Sequence, residues 1–115
     1  MIAKLTGIID STGSNYVIID VGGVGYIAYA SNRTLSKIGS KHGTNVSLLI
    51  ETHVREDQIT LFGFADAVEK EWFHILCTVQ GVGAKVALVI LATIPAELSF
   101  AFWLLIKGLK TDIQN

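Results

Sequence analysis

The sequence predicts a small β-barrel of five strands followed by a pair of helices joined through a glycine turn. Three observations predict it. Residues 1 to about 64 place β-branched and aromatic runs between short polar turns. From Ala65 the apolar period changes to that of a helix. Gly81-Val82-Gly83 then interrupts the helical pattern before a second apolar run begins.

The elements follow in order. Ile2 to Asp10 reads as a first strand, and Ser11-Thr12-Gly13-Ser14-Asn15 as a polar turn. Tyr16 to Val21 is a β-branched run, Gly22-Gly23 turns the chain, and Tyr26 to Ala30 makes a third strand. Arg33 to Ile38 is a short helical turn, followed by a polar loop from Ser40 to Thr44. Asn45 to Val54 and Gln58 to Phe64 form a last hairpin with Arg55-Glu56-Asp57 at its tip. Five short strands at this spacing fit an OB-like barrel. Beyond it, Val68, Trp72, Phe73, Ile75, Leu76 and Val79 share one helical face. Lys85 to Thr93 forms a second, almost wholly apolar helix, and Ile94-Pro95-Ala96-Glu97 reads as a helix restart with proline in its first turn.

Composition bounds the function. Half of the 115 residues are hydrophobic and 17% are charged, so the chain has material for a core and is not of the disordered class. The formal net charge is −1. A nucleic-acid binder is ordinarily basic, so DNA contact here has to come from a few placed cations and backbone amides. The single cysteine, Cys77, excludes an internal disulfide framework and suits a reducing cytosol; its apolar helical setting reads as core packing. His42, His53 and His74 have no paired metal-ligand spacing, and no metal or cofactor is expected. Residues 1–6 lack the apolar core of a signal peptide, and residues 98–106 fall short of the about 20 that span a bilayer. A cytoplasmic location is expected.

The chemistry concentrates in residues 78–88. Gly81 and Gly83 let the backbone turn tightly and approach a bulky ligand closely. The first amides of the next helix lack intrahelical partners and lie at the positive end of its dipole. Such an end binds phosphate, and Lys85 adds a charge beside it. Helix, G-x-G turn and helix together make a helix-hairpin-helix, which grips the DNA backbone without reading bases. Ordinary helix pairs also turn through glycine, so the reading depends on the barrel that precedes it. Catalysis has no comparable signal. There is no G-x-x-x-x-G-K-[ST] loop and no nucleophile–base pair, and no acid follows Lys85 before Glu97, as a lysine-nucleophile glycosylase would require.

Several further stretches are specific in combination. They are Leu5-Thr6-Gly7-Ile8-Ile9, Val21-Gly22-Gly23-Val24-Gly25-Tyr26, Thr52-His53-Val54-Arg55-Glu56-Asp57, Leu61-Phe62-Gly63-Phe64 and Val79 to Ala87. In this order they resemble the RuvA family, the Holliday-junction-binding subunits of the bacterial branch-migration machinery, over residues 1 to about 98. The resemblance implies an OB-fold followed by a helix-hairpin-helix, and a homotetramer, single or doubled around the DNA, that holds a four-way junction open. It implies a phosphate grip at Gly81, Val82, Gly83, Ala84 and Lys85. It places an acidic pin at Glu56 and Asp57. Arg55 beside the pin reads either as a further phosphate contact or as an exposed hairpin arginine with no role. Four copies of that pin bring eight negative charges to the centre of the assembly, where they repel phosphates and keep the crossing strands apart. The resemblance also implies the RuvB motor ATPase as partner.

The expected organisation is a barrel over 1–64 that tetramerises and carries the pin, a first helix-hairpin-helix over 65–98, and a divergent tail over 99–115. The family's second helix-hairpin-helix and motor-binding domain are expected to be missing. Ser99 to Lys110 reads as a frameshifted or truncated frame, which predicts a weakened DNA grip and no stimulation of the motor. Two other readings remain. One is a generic nucleic-acid or protein-interaction OB module, whose candidates for stacking single strands are Tyr16, Tyr26, Tyr29 and Phe62. The other is a non-functional remnant.

Overall fold

The computed structural model describes residues 1–93. Five strands, β1 (Lys4–Thr12), β2 (Tyr16–Val21), β3 (Val24–Tyr29), β4 (Asn45–Arg55) and β5 (Gln58–Phe64), close into a barrel in the order β1-β2-β3-β5-β4. Closure is made by antiparallel pairing of β1 with β4, Leu5 opposite Leu48, and by a short parallel contact of β3 with β5, Ala28 opposite Leu61. Helix α1 (Asn32–Ile38) lies between β3 and β4 in the chain. This is the order of an OB-fold. Helices α2 (Ala67–Cys77) and α3 (Ala84–Thr93) follow. The predicted restart at 94–97, the far end of the 65–98 segment and the divergent tail lie outside the described residues.

Local sequence explains the strand limits. Val21 pairs with Val24, leaving Gly22 and Gly23 as a two-residue turn with φ of 61° and 94°. Both positions are left-handed, which glycine alone takes without strain, and this lets β3 begin at Val24, two residues before the predicted start. β1 runs on to Thr12 instead of ending at Asp10, because its register against β2 shifts between Ile9 and Ser11. Such a bulge bends a strand round a barrel and carries polar residues that read as turn. β2 and β5 have the predicted limits. At the last hairpin Arg55 pairs with Gln58, so the tip consists of Glu56 and Asp57 alone.

Two apolar cores result from alternation along β5. Leu61 points into the barrel with Leu5, Ile9, Val17, Ile19, Ala28, Leu48 and Ile50. Its neighbours Phe62 and Phe64 point the other way, under Trp72 and Phe73 of α2 and Ala87, Leu88 and Leu91 of α3. The Phe73 ring lies 5.0 Å from that of Phe62 and 4.9 Å from that of Phe64. One strand thus serves as wall of the barrel and as seat for the helix pair.

A polar cluster fixes the same junction from the side. Ser31 caps α1 by accepting from the Thr34 amide, and Asp66 caps α2 by accepting from the Glu69 amide at 2.8 Å. The Thr34 hydroxyl donates to the Glu69 carboxylate. The Lys37 ammonium reaches Asp66 at 2.8 Å and Glu69 at 3.1 Å. Glu69 is only 3% exposed, so these partners are what permits its burial.

Candidate nucleic-acid interface

α2 ends with Thr78 as C-cap, its amide bonded to the Ile75 and Leu76 carbonyls and its hydroxyl donating to the Ile75 carbonyl at 2.6 Å. The Val82 amide donates to the Val79 carbonyl at 3.1 Å, which winds the connection tightly. Gly81 sits at φ 88°, a left-handed position that explains this glycine conformationally. Val79, predicted on the buried helical face, lies beyond the end of α2 and is half exposed.

Gly83 is different. It is not left-handed, and a Cβ built on it meets nothing within 4 Å. Its carbonyl accepts from the Ala87 amide at 2.9 Å, which makes it the N-cap of α3. Lacking a side chain, it leaves the amides of Ala84, Lys85 and Val86 open at the positive end of the helix. Lys85 is exposed, its ammonium 5.7 Å above the Tyr29 ring, close enough for a cation–π contact that holds the charge beside the turn.

The hairpin tip is equally specific. Glu56 has φ 54°, unlike any other described non-glycine residue. That conformation costs about 1–3 kcal/mol. It allows a two-residue turn that presents the exposed Glu56 and Asp57 together. Neither carboxylate, nor the Arg55 guanidinium next to them, has an ion-pair partner among the described residues.

A groove of about 390 Å³ joins the two features. One wall is Val82 to Val86 with Cys77; the other is His53, Arg55, Gln58 and Thr60 of the hairpin, with Phe62 between them. The structure therefore brings Arg55 to the same groove as Gly83, Ala84 and Lys85, while Glu56 and Asp57 stand at the end of the hairpin. Sequence reading missed His53, Gln58 and Thr60 as lining residues; their alternation on two paired strands was the available signal. Burial, reinforced by the Glu51 charge, pushes the Cys77 thiol up, so it stays protonated. It is half buried at the groove wall and not fully within the core. Phe62 is buried under α2 and cannot serve as a stacking platform for bases. Among the described residues there is no group that could hold a metal ion, and no helix is long and apolar enough to cross a membrane.

A closed OB barrel that seats a glycine-turned helix pair beside an acidic-tipped hairpin defines a class of small β-barrel proteins with appended helices. Residues 1–63 match the RuvA N-terminal domain, and the chain belongs to that family. Similar proteins include the Holliday junction branch migration complex subunit RuvA of Sinorhizobium fredii, 59% identical over 102 residues, and that of Agrobacterium fabrum, 60% identical over 102 residues. The Rhizobium etli protein of the same name is also 60% identical over 102 residues. These matches cover 88% of this chain and 49–50% of the relatives, so the chain spans about half of their length.

Proposed function

We propose that this chain binds four-way DNA junctions and holds them open, as the non-catalytic DNA-binding subunit of a branch-migration complex. The observation that carries the proposal is Gly83, a glycine the fold does not require, at the open N-terminus of α3. Its missing side chain is explained by a bulky anionic ligand that approaches the backbone, and the DNA phosphate is such a ligand. The groove leading to Arg55 and the strained acidic tip support a branched ligand over a plain duplex. The names of the relatives supply the class of DNA.

In this reading the barrel, residues 1–64, self-associates into a homotetramer that gathers the tips of Glu56 and Asp57 at the crossover. The segment from residue 65 supplies the grip of Gly81, Val82, Gly83, Ala84 and Lys85. The partner is a RuvB-type motor ATPase, and the location is the cytoplasm.

The test is a gel-shift competition of the chain on a four-way junction against duplex of equal length, over a salt series. Preference for the junction, weakened by Gly83→Ala and Lys85→Ala, is expected. Equal affinity for both DNAs, unaffected by either change, would overturn the proposal.

A further inference from the structure

The groove wall formed by the hairpin carries chemistry that the grip does not account for. On β4 and β5 the residues that face the groove are paired across the strands, His53 opposite Thr60 and Arg55 opposite Gln58. Residues two apart on a strand share a face and stand about 6.8 Å apart. This is of the order of the step between successive phosphates along one DNA strand. The lining offers a guanidinium, an ammonium, a hydroxyl, a carboxamide, an imidazole and helix-end amides, and no carboxylate. In a chain of net charge −1, that is a local concentration of donors for anions.

The wall is also held rigidly. The His53 ring packs edge-on to Phe62 at 4.9 Å and lies 5.6 Å from Phe73, so β4 is tied to the core under α2. Ordered donors on a fixed sheet face position a backbone without reading bases.

We propose that Gln58 and Thr60, with His53, form a phosphate-tracking strip that carries one DNA strand from the grip at α3 along the groove to the acidic tip. The strip rests on the junction-binding reading above and deepens it. Arg55 and Gln58 form its last rung before Glu56 and Asp57. A strand that follows it has its direction set before it meets the carboxylates. The strip therefore governs where strands separate, while the grip governs whether DNA is held.

Gln58 is exposed and sits at the end of the hairpin, so changes there leave the core intact. Gln58→Glu, which keeps shape and places a carboxylate in the groove, is expected to weaken junction binding by about three- to tenfold at low salt. Gln58→Lys is expected to tighten it and to steepen the dependence of log K on log salt by about 0.9, the signature of one more phosphate contact. Thr60→Val is expected to remove hydroxyl-radical protection only at the nucleotides one rung back from the crossover, between Gln58 and the grip. Ser47→Lys, exposed at the start of β4 and outside the groove lining, serves as the control and is expected to leave the slope unchanged. Should Lys85→Ala weaken binding while both Gln58 variants and Thr60→Val bind and footprint as the parent, the strip is refuted and the grip stands. Should Lys85→Ala also bind as the parent, the junction reading itself falls, and the strip with it.

Discussion

The Lys37 ammonium lies 3.1 Å from the buried carboxylate of Glu69, which ties α1, the helix inserted between two barrel strands, to α2, the first helix of the groove-forming pair. With the Thr34 hydroxyl on the other carboxylate oxygen, the contact spans two elements separated by a whole hairpin in sequence. Removing the Thr34 hydroxyl leaves one buried carboxylate oxygen of Glu69 without its hydrogen bond, while Lys37 and Arg33 still face the other. Thr34→Val is therefore expected to lower unfolding free energy by about 2 kcal/mol, the scale of a hydrogen bond to a charged group. Glu69→Ala removes the buried charge with its hydrogen bonds and leaves Lys37, half exposed, on Asp66, so the expected cost is about 1–3 kcal/mol. Urea unfolding checks both, and a loss under about 0.5 kcal/mol for Thr34→Val would show that the cluster does not hold the helices.

The same cluster sets a pH dependence. Burial raises the Asp66 carboxyl, but the Lys37 hydrogen bond, the Glu69 amide and the Lys37 and Arg33 charges outweigh it and hold Asp66 below its ordinary 3.8. A depressed carboxyl contributes stability that is complete above its unfolded value and lost as pH falls through its folded value. Lys37 moves oppositely: the Asp66 hydrogen bond, with Glu69, outweighs desolvation and raises it above 10.5. Its contribution is complete below 10.5 and lost as pH rises through the folded value. Between these limits the two groups contribute a plateau. Asp66→Asn keeps an N-cap side chain while removing the charge. The decline in melting temperature below about pH 4 is expected to be shallower in that variant than in the parent; an identical acid limb would remove Asp66 from the explanation.

Much of the barrel was legible because alternation and turn chemistry act locally. Tyr16–Val21 and Gln58–Phe64 have the limits that β-branched runs and flanking polar residues predict. What was hidden depends on the third dimension. Glu69 drew no reading from the sequence, and only the approach of α1 makes it a buried anchor. Phe62 reads equally as core, barrel surface or stacking candidate, because the sequence does not say which side of β5 the helices will cover. The candidate site was visible as two separate motifs, and the groove that joins Arg55 to Lys85 was not. That contact arises from packing α2 and α3 on β5.

The strain at Glu56 separates charge from conformation. At φ 54°, glycine is unstrained where glutamate is not. Glu56→Gly is expected to keep or raise the melting temperature, because relief of about 1 kcal/mol offsets the entropy of an added glycine. Glu56→Val, β-branched in the left-handed region, is expected to lose about 1–2 kcal/mol. If the tip exists to present charge, Glu56→Gln with Asp57→Asn folds like the parent but alters how junction arms are held, read by fluorescence transfer between labelled arms. Unchanged arm geometry would reduce the tip to an ordinary solvated turn.

The two glycines of the α2–α3 turn are expected to fail in opposite ways when replaced. Gly81 is left-handed with free space around it, so Gly81→Ala meets no clash but strains the backbone by about 1–2 kcal/mol. Gly83 has neither a left-handed backbone nor a neighbour for a Cβ, and it caps α3. Serine there can accept from the open amides, so Gly83→Ser is expected to hold or raise stability by a few tenths of a kcal/mol. The same hydroxyl occupies the donors a phosphate needs and fills the space it enters. Junction affinity is therefore expected to fall by about tenfold or more, the loss of one or two charge-assisted hydrogen bonds. Thermal melts and gel shifts on the same preparations check the pair. A Gly83→Ser chain that is more stable and binds as tightly as the parent would show that the helix end is not where DNA is held.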